Sequence, residues 1–349
     1  MSFFSHGGDV ATAAQLTGIP LEQWLDLSRA TNPEPYPFAM PELSSFTAVS
    51  RPQAEVLAVA REYYGQADVR LITGTNSLYR QLPLYLPDGP LLVPSQGYGS
   101  GARFWQQGGR EVRYYPSLEP GAMVRFIEDT LADNPCQHLL VLNPNDVTGV
   151  QMTASVLRDW AGRLADGYQL IVDEVMLEHA PETSILEAGL LPDNLVVLRS
   201  LSAFFGLPGL RVAVALFGQQ SGRILANAID EYAVNIPAQR IACEAWADSH
   251  WQVTTRTHLW QLISKLHRCL SPLMQDGRLL SRNGLFISYL LPLERAEQVY
   301  QALAAQGIML MPTPIDNSQA ILRAGLLAAT DAANWERLQK AVDQVIAIA

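Results

Sequence analysis

The sequence predicts an α/β fold, with a large domain built on a mostly parallel sheet and a second, smaller α/β domain. From about residue 50 to residue 216, helical patterns alternate with short runs of Val, Leu and Ile. This alternation is typical of parallel sheets that are covered by helices on both faces. After residue 218 the pattern changes to long helices and then returns to alternating signals. Because 349 residues exceed the usual size of one domain, we expect two unequal domains.

Short apolar runs in the first region predict the strands of the large sheet. The runs are REVRYYP, HLLVLNPN, QLIVDE, NLVVLRSL and RVAVALFG. The segment TASVLRDWAGRLAD lies between two of them and has the spacing of an amphipathic helix. Ligands of parallel sheets bind at the carboxyl ends of the strands. The polar residues that follow these runs are therefore the first candidates for a functional site.

The second region predicts a helical connection followed by the small domain. RILANAIDEYAVNIPAQRIACEAWADS and TRTHLWQLISKLHRCLSPLM predict long helices with almost no strand signal. GLFISYLLP, IMLMPTP and QAILRAGLL then predict strands, and ERAEQVYQALAAQG and AANWERLQKAVDQVIAIA predict helices. We expect an N-terminal arm over residues 1–45 that joins the small domain, a large domain over 46–235, and the connection with the small domain over 236–349.

The composition narrows the classes of function. Apolar residues make up 48% of the chain and charged residues 17%, as is typical of a globular protein. The net charge of −10 argues against nucleic-acid binding, which requires clustered Lys and Arg. No basic segment precedes an apolar one at the N-terminus, so we expect a soluble, cytoplasmic protein without a signal peptide or membrane span. Cys136, Cys243 and Cys269 are odd in number and widely spaced, which favours free thiols and indicates no metal site.

Three polar segments at predicted strand ends have a specific order. NPNDVTG (143–149) follows LLVL, DE (173–174) follows LIV, and SLSAFFGLPGLR (200–211) follows VVLR. In this order they resemble motifs of the fold-type I pyridoxal-phosphate enzymes, in the class I and II aminotransferase branch. The resemblance covers nearly the whole chain. It implies an aspartate aminotransferase-type fold, pyridoxal 5'-phosphate as cofactor, and a homodimer with both active sites at the subunit interface.

The N-terminal segment HGGDVATAAQLTGIPLEQWLDLSRATNPEPYP narrows the resemblance. It is similar to the start of the threonine-phosphate decarboxylases of cobalamin biosynthesis, which carry His-Gly-Gly and then a Ser-x-x-x-Asn-Pro turn. The neighbouring histidinol-phosphate aminotransferases lack the His-Gly-Gly start. The similarity implies decarboxylation of L-threonine O-3-phosphate to aminopropanol phosphate, with His6 and Asn32 in substrate binding. For His6 the alternative is a histidine in a flexible arm.

The resemblance also implies roles for residues at the strand ends. Asp173 would contact the pyridine nitrogen, where a buried carboxylate keeps the ring protonated and able to accept electrons. A plain strand-end cap is the alternative for this aspartate. Arg211, Ser200 and Ser202 match the groups that hold the cofactor phosphate through a guanidinium fork and hydroxyls. Ordinary turn chemistry is the alternative for the serines.

Further candidates lie outside these three segments. Gly74, Thr75 and Asn76 precede a helical stretch, where backbone N–H groups would bind the same phosphate or would simply cap the helix. Tyr98 would stack on the pyridine ring, and a core or surface tyrosine is the alternative. Arg323 matches the arginine of the small domain that binds a substrate carboxylate, a bidentate task for which a guanidinium is suited.

The sequence departs from the family pattern at the residue most important for its chemistry. Ala203 stands where relatives have the lysine that forms a Schiff base with the cofactor and then transfers protons. The chain has only Lys265 and Lys340, both in predicted helices far along the sequence. Asp146 replaces the asparagine that donates to the phenolic oxygen of the cofactor. Further departures are Val147, Met176 and the pair Arg51–Pro52.

These departures leave three hypotheses about function. The first is a threonine-phosphate decarboxylase-like protein that is impaired or repurposed. The second is a transaminase similar to the histidinol-phosphate aminotransferases, which would also need the missing lysine. The third is a non-catalytic protein that binds a ligand or a partner. Visible absorbance after addition of the cofactor separates an enzyme that binds it from a partner-binding protein that does not.

Overall fold

The computed structural model describes residues 9–49 and 51–348. The chain divides into two compact units. The large unit comprises residues 35–146 and 150–253, and the small unit comprises the described residues up to 34, residues 147–149, and the residues from 254 onward. The strands are β1 (Leu25–Asp26), β2 (Val69–Ile72), β3 (Leu91–Pro94), β4 (Val112–Tyr115), β5 (His138–Leu142), β6 (Leu170–Asp173), β7 (Leu195–Ser200), β8 (Ala213–Phe217), β9 (Arg278–Arg282), β10 (Phe286–Pro292), β11 (Ile308–Met309), β12 (Met311–Pro314) and β13 (Gln319–Gly325). The α-helices are α1 (Val10–Thr17), α2 (Ser44–Thr47), α3 (Ala54–Tyr64), α4 (Thr75–Tyr85), α5 (Ser100–Gln107), α6 (Pro120–Asp133), α7 (Ala154–Arg163), α8 (Gln219–Ile224), α9 (Ile236–Ala247), α10 (Ser249–Leu270), α11 (Leu293–Ala304) and α12 (Ala332–Ile348).

The large unit is built on one sheet with the strand order β2-β8-β7-β6-β5-β3-β4. Strand β8 is antiparallel to both of its neighbours, and the other pairs are parallel. Every residue of β5, β6 and β7 is buried, as expected for parallel strands that helices cover on both faces. The predicted α/β class, with a mostly parallel sheet in the larger part, is confirmed.

The core of the large unit holds its strands in register. One face of the sheet packs against α4 and α5, where Leu78, Tyr79 and Trp105 are almost completely buried. Leu140 of β5 and Val196 of β7 belong to the same cluster. Burying each large apolar side chain contributes about 1.5–3 kcal/mol to folding. This packing fixes the strand ends at which the candidate site lies.

One predicted helix is interrupted in the structure. The segment RILANAIDEYAVNIPAQRIACEAWADS forms the short helix α8, a single turn of 3-10 helix, a stretch without helical structure, and then α9. Asn235 caps α9 by accepting a hydrogen bond from the Ala238 N–H at 2.9 Å, and Pro237 lies in its first turn. Asparagine at the cap and proline in the first turn favour a new helix start at this point. The apolar pattern alone does not show the interruption.

The small unit contains an antiparallel sheet with the order β12-β13-β10-β9, and β1 pairs with β11 in parallel. The sequence pattern does not predict strand β9, because its sequence RLLSR has no apolar alternation and its residues are exposed or only partly buried. The segment IMLMPTP, predicted as one strand, forms β11 and β12 in different sheets. Among the described helices α10 is the longest, with 22 residues, and none of them is apolar enough over sufficient length to cross a bilayer.

Candidate functional site

A cavity of about 220 Å³ lies at the carboxyl ends of β5, β6 and β7, within the large unit. Each of these strands contributes its last residue to the lining. The lining comprises Gly74, Thr75, Asn76, Tyr98, Leu142, Pro144, Asp146, Asp173, Val175, Met176, Ser200, Ser202 and Arg211. The nine residues predicted to bind the cofactor are all among them. The structure therefore brings together residues that are up to 137 positions apart in sequence, from Gly74 to Arg211.

One end of the cavity combines the start of α4 with a guanidinium. Gly74 is the N-cap residue of α4 at a φ of 75°, and as a glycine it has no side chain with which to cap the first turn of the helix. A Cβ atom at this glycine would collide with Nη2 of Arg211, so the guanidinium packs directly against the backbone. The Nη1 atom of Arg211 donates to the Pro208 carbonyl at 3.2 Å. Uncapped N–H groups and a guanidinium together form a site suited to an anion.

Two hydroxyl groups complete this end of the cavity. Oγ of Ser200 lies 2.9 Å from Oγ of Ser202 and 3.2 Å from the Val212 carbonyl. It also accepts a hydrogen bond from the Ser202 N–H at 3.1 Å. The serines thus perform the turn chemistry considered as an alternative, and they line the cavity as well. Their assignment to a phosphate remains a prediction.

Asp173, the last residue of β6, is a buried carboxylate at the cavity wall. Its Oδ2 accepts a hydrogen bond from the Tyr79 hydroxyl at 2.5 Å, and its Oδ1 accepts from the Val175 N–H at 3.0 Å. Burial raises the pKa of Asp173 to about 6, and the two hydrogen bonds only partly oppose it. The negative charges of Asp146 and Glu174 raise this pKa further. A cationic ligand group at this carboxylate would lower its pKa again.

Asp146 belongs to a small hydrogen-bonded group at the cavity. Its Oδ1 accepts from the backbone N–H of Tyr98 at 2.9 Å. The hydroxyl of Tyr98 accepts from Nδ2 of Asn76 at 2.8 Å. The ring of Tyr98 is 44% exposed, so it is held by these polar contacts more than by packing. The predicted stacking role of Tyr98 stays a prediction, while its place in the cavity wall is established.

Ala203, Asn32 and Arg323 are not among the residues that line this cavity. Ala203 is buried, with 3% of its surface exposed, in the loop after β7. Asn32 and Arg323 belong to the small unit. Nη2 of Arg323 donates to the Ser28 carbonyl at 2.7 Å, and Asn32 accepts from the Glu34 N–H at 2.9 Å. His6 lies outside the described residues.

Sequence analysis missed a buried ionic cluster, which we define as Arg199, Glu174, Glu178, Tyr63 and Ser184. Nε of Arg199 lies 3.4 Å from Glu174, and Nη1 lies 3.7 Å from Glu178. Ser184 donates to Glu174, and the Tyr63 hydroxyl donates to Glu178 at 2.8 Å. Arg199 and Glu174 are sequence neighbours of the predicted site residues Ser200 and Asp173, and strand alternation would place them on the opposite face.

Comparisons with known proteins agree with this architecture. The family model described as aminotransferase class I and II matches residues 50–342. A threonine-phosphate decarboxylase from Pseudomonas aeruginosa is 32% identical over 340 residues, covering 97% of this chain and 96% of that protein. A threonine-phosphate decarboxylase from Sinorhizobium sp. is 30% identical over 68% of this chain and 70% of that protein.

The solved structures show the same fold. The histidinol-phosphate aminotransferase from Sinorhizobium meliloti, in complex with pyridoxal-5'-phosphate, matches with a TM-score of 0.74 and 16% identity, covering 100% of both chains. The predicted aspartate aminotransferase-type fold is therefore confirmed. With the family model extending over most of the sequence, the chain belongs to the aminotransferase class I and II family.

Proposed function

We propose that this chain is a threonine-phosphate decarboxylase-like protein of cobalamin biosynthesis that binds a pyridoxal-phosphate-type ligand without a covalent bond. Its decarboxylation of L-threonine O-3-phosphate is impaired. The single observation that carries the impairment is Ala203, at the position that has the Schiff-base lysine in the motif it resembles. The two relatives named threonine-phosphate decarboxylases support the substrate class, since the match to one of them covers almost the full length of both chains.

One end of the cavity fits a phosphate monoester. The N-cap residue of α4 is Gly74, which has no side chain to occupy the N–H groups of the first turn, and Arg211 adds a guanidinium beside it. A helix N-terminus and a guanidinium both favour a dianion, and the hydroxyls of Ser200 and Ser202 supply further hydrogen bonds. These groups would hold and orient the phosphate of the cofactor.

Two carboxylates of the cavity lining would affect a bound pyridoxal ring in different ways. Asp173 suits a protonated ring nitrogen, whereas Asp146 would repel the phenolic oxygen. When bound, pyridoxal phosphate supplies a ring that takes up the electron pair left by the departing carboxylate. Asp173 would keep a proton on the ring nitrogen, since it is a buried carboxylate with no cationic partner among the lining residues that the structure describes. Asp146 can only accept hydrogen bonds when ionised, whereas an asparagine would donate to the phenolic oxygen.

No lysine is available to form the covalent bond from the cavity wall. The chain has two lysines, and neither belongs to the lining. Nζ of Lys265 lies 4.0 Å from the centroid of the Trp335 ring, and Nζ of Lys340 forms an ion pair with Glu336 at 2.6 Å. A transaminase activity would need the same amine, so the alternative of a histidinol-phosphate aminotransferase-like enzyme faces the same obstacle.

The test combines cofactor binding with restoration of the lysine. Pyridoxal phosphate should bind reversibly to the unmodified chain, and borohydride reduction followed by peptide mass analysis should show no modified lysine. The variant Ala203→Lys should gain a covalent adduct and visible absorbance. The double variant Ala203→Lys with Asp146→Asn should form more of the adduct, because the carboxylate no longer faces the phenolic oxygen. Formation of aminopropanol phosphate from threonine phosphate is measured in each.

Two outcomes would overturn the proposal. A stoichiometric adduct on Lys265 or Lys340 in the unmodified chain would show that another amine replaces the missing one. Decarboxylation by the unmodified chain at the rate of the double variant would show that the reaction does not need the lysine. If neither phosphate, pyridoxal phosphate nor threonine phosphate binds at millimolar concentration, the third hypothesis, a partner-binding protein, takes the place of the proposal.

We further propose that the chain is a cytoplasmic homodimer. The segment 38–49 supports an interface, since Met40, Leu43 and Val49 are each more than three-quarters exposed, and exposed apolar patches mark interaction surfaces. Light scattering coupled to size exclusion should give twice the chain mass of 38.4 kDa. A mass of one chain at micromolar concentration would contradict the homodimer.

A further inference from the structure

The cavity wall is rich in hydrogen-bond acceptors away from Arg211. The carboxylates of Asp146 and Asp173 both line the cavity, and their charges interact, as the influence of Asp146 on the pKa of Asp173 shows. The amide oxygen of Asn76 is buried and has no hydrogen-bond donor among the residues that the structure describes. Within the described lining, Arg211 is the one cationic side chain. A ligand that suits this wall brings its own donors.

The contact between Asp146 and Tyr98 determines what Asp146 offers a ligand. The Tyr98 N–H donates to Oδ1 at 2.9 Å, and an asparagine at position 146 would use its amide oxygen for the same contact. The second terminal atom of that asparagine would be a donor. In Asp146 it is an oxygen that only accepts when the group is ionised. With aspartate in place of asparagine at position 146, this part of the cavity wall accepts a hydrogen bond where it would otherwise donate one.

We infer that the cavity selects the aminated form of the cofactor, pyridoxamine 5'-phosphate, over the aldehyde form, and that Asp146 determines this specificity. The inference rests on the proposed function, because it assumes that the phosphate binds at Arg211. The ammonium group of the aminated form donates charge-assisted hydrogen bonds to carboxylate and amide oxygens. The aldehyde oxygen is itself an acceptor, and the cavity wall offers no lysine with which it could react.

The experiment compares ligands that differ only at the amine. Equilibrium dissociation constants are measured by calorimetry at pH 7.5 for pyridoxamine phosphate and for 4-deoxypyridoxine phosphate, which has the same ring and phosphate but neither amine nor aldehyde. Pyridoxal phosphate and O-phosphoethanolamine are measured beside them, the second to test an amine and a phosphate without a ring. We expect pyridoxamine phosphate to bind about tenfold to a hundredfold more tightly than the deoxy analogue, the range for hydrogen bonds to charged groups.

The variant Asp146→Asn should remove most of that preference while leaving the affinity for the deoxy analogue equal or higher. The matched control is Asp88→Asn, which also removes one negative charge from the large unit, at a side chain that is 97% exposed and not part of the cavity lining. This control should keep the full preference. Tighter binding of O-phosphoethanolamine than of pyridoxamine phosphate would overturn the inference, since the cavity would then select a small aliphatic amine.

The outcomes separate the two proposals. If the deoxy analogue binds and the amine adds no affinity, or if Asp146→Asn retains the full preference, the inference fails and the proposed function stands. If none of the phosphate esters binds, the proposed function fails, and the inference fails with it.

Discussion

Strand β6 ends at Asp173, and the carboxylates of Asp173 and of the next residue, Glu174, have different surroundings. Glu174 forms an ion pair with Arg199 and accepts hydrogen bonds from Ser184 and from the Ile185 N–H. Asp173, one residue earlier, lines the cavity and accepts two hydrogen bonds, but it has no ion pair with a cation in the part of the chain that the structure describes. The protein itself supplies the positive charge that pairs with Glu174. At Asp173 that positive charge is left for a ligand to supply. A buried group that the protein does not neutralise is therefore a better indicator of a binding site than one that it does.

The largest effect should come from removing the cation of the buried ionic cluster. The variant Arg199→Met leaves Glu174 and Glu178 buried without their partner, which costs about 3–5 kcal/mol in free energy of unfolding. Urea denaturation measures this loss. The matched control is Arg113→Met at an exposed ion pair with Glu111, where we expect a loss below about 1 kcal/mol. Equal losses in the two variants would show that the buried cluster is no more important than a surface pair.

Removing the charge of Asp173, at the cavity, should instead increase the free energy of unfolding. The pKa of Asp173 is raised from 3.8 to about 6 in the folded chain, so its protonated form is favoured by folding. That contribution is complete below about pH 4 and is lost as the pH rises through about 6, so ionised Asp173 destabilises the ligand-free protein at pH 8 by on the order of 3 kcal/mol. Asp173→Asn should therefore raise the free energy of unfolding most at pH 8, and this gain should shrink steadily as the pH falls from about 6 toward 4.

Glu174→Gln is the matched variant for that measurement. It removes the neighbouring carboxylate, but it leaves Arg199 with one partner fewer, so we expect it to destabilise the protein at pH 8. If Asp173→Asn and Glu174→Gln both shift the free energy of unfolding at pH 8 in the same direction, the contrast between these two carboxylates is wrong.

At the phosphate end, removing Arg211 should weaken ligand binding more than it weakens the fold. Arg211→Ala removes a charge-assisted contact worth about 1.5–3 kcal/mol, which corresponds to about a tenfold to hundredfold loss of affinity for a phosphate ester. Calorimetric titration with 4-deoxypyridoxine phosphate measures it. Arg223→Ala, at another arginine of the large unit, serves as the control and should leave the affinity unchanged. An unaltered affinity in Arg211→Ala would remove this arginine from the binding site.

The smallest effect concerns the hydroxyl that contacts Asp173. Tyr79 donates to this carboxylate and so favours its ionised form. In Tyr79→Phe the pKa of Asp173 should rise, which extends the pH-dependent loss of stability to higher pH. Tyr115→Phe, which removes a hydroxyl that donates to the Leu140 carbonyl, should leave that pH dependence unchanged. The pH dependence of urea denaturation distinguishes the two.

The sequence predicts the parts of the site that depend on local pattern. Strands β5, β6 and β7 are continuous apolar runs that end in polar residues, so their ends could be located before their packing was known. The contact between Asp146 and Tyr98 joins residues 48 positions apart and needs the tertiary fold. The buried ionic cluster was missed because isolated charges within strands are read as exposed unless their partners are known. Strand β9 was missed because its exposed residues carry no apolar alternation.

The guanidinium of Arg211 occupies the space that a side chain at position 74 would need, so substitutions at the two positions should depend on each other. Any side chain at position 74 meets the guanidinium at once, and the left-handed backbone at this position adds a second penalty. A side chain at position 74 should therefore push the flexible guanidinium away from the start of α4, and a shorter residue at position 211 should reduce the cost of the substitution. In a library that varies both positions and is selected for folding, the cost of a side chain at position 74 should be smaller beside a residue shorter than arginine, whereas position 211 should vary freely beside Gly74.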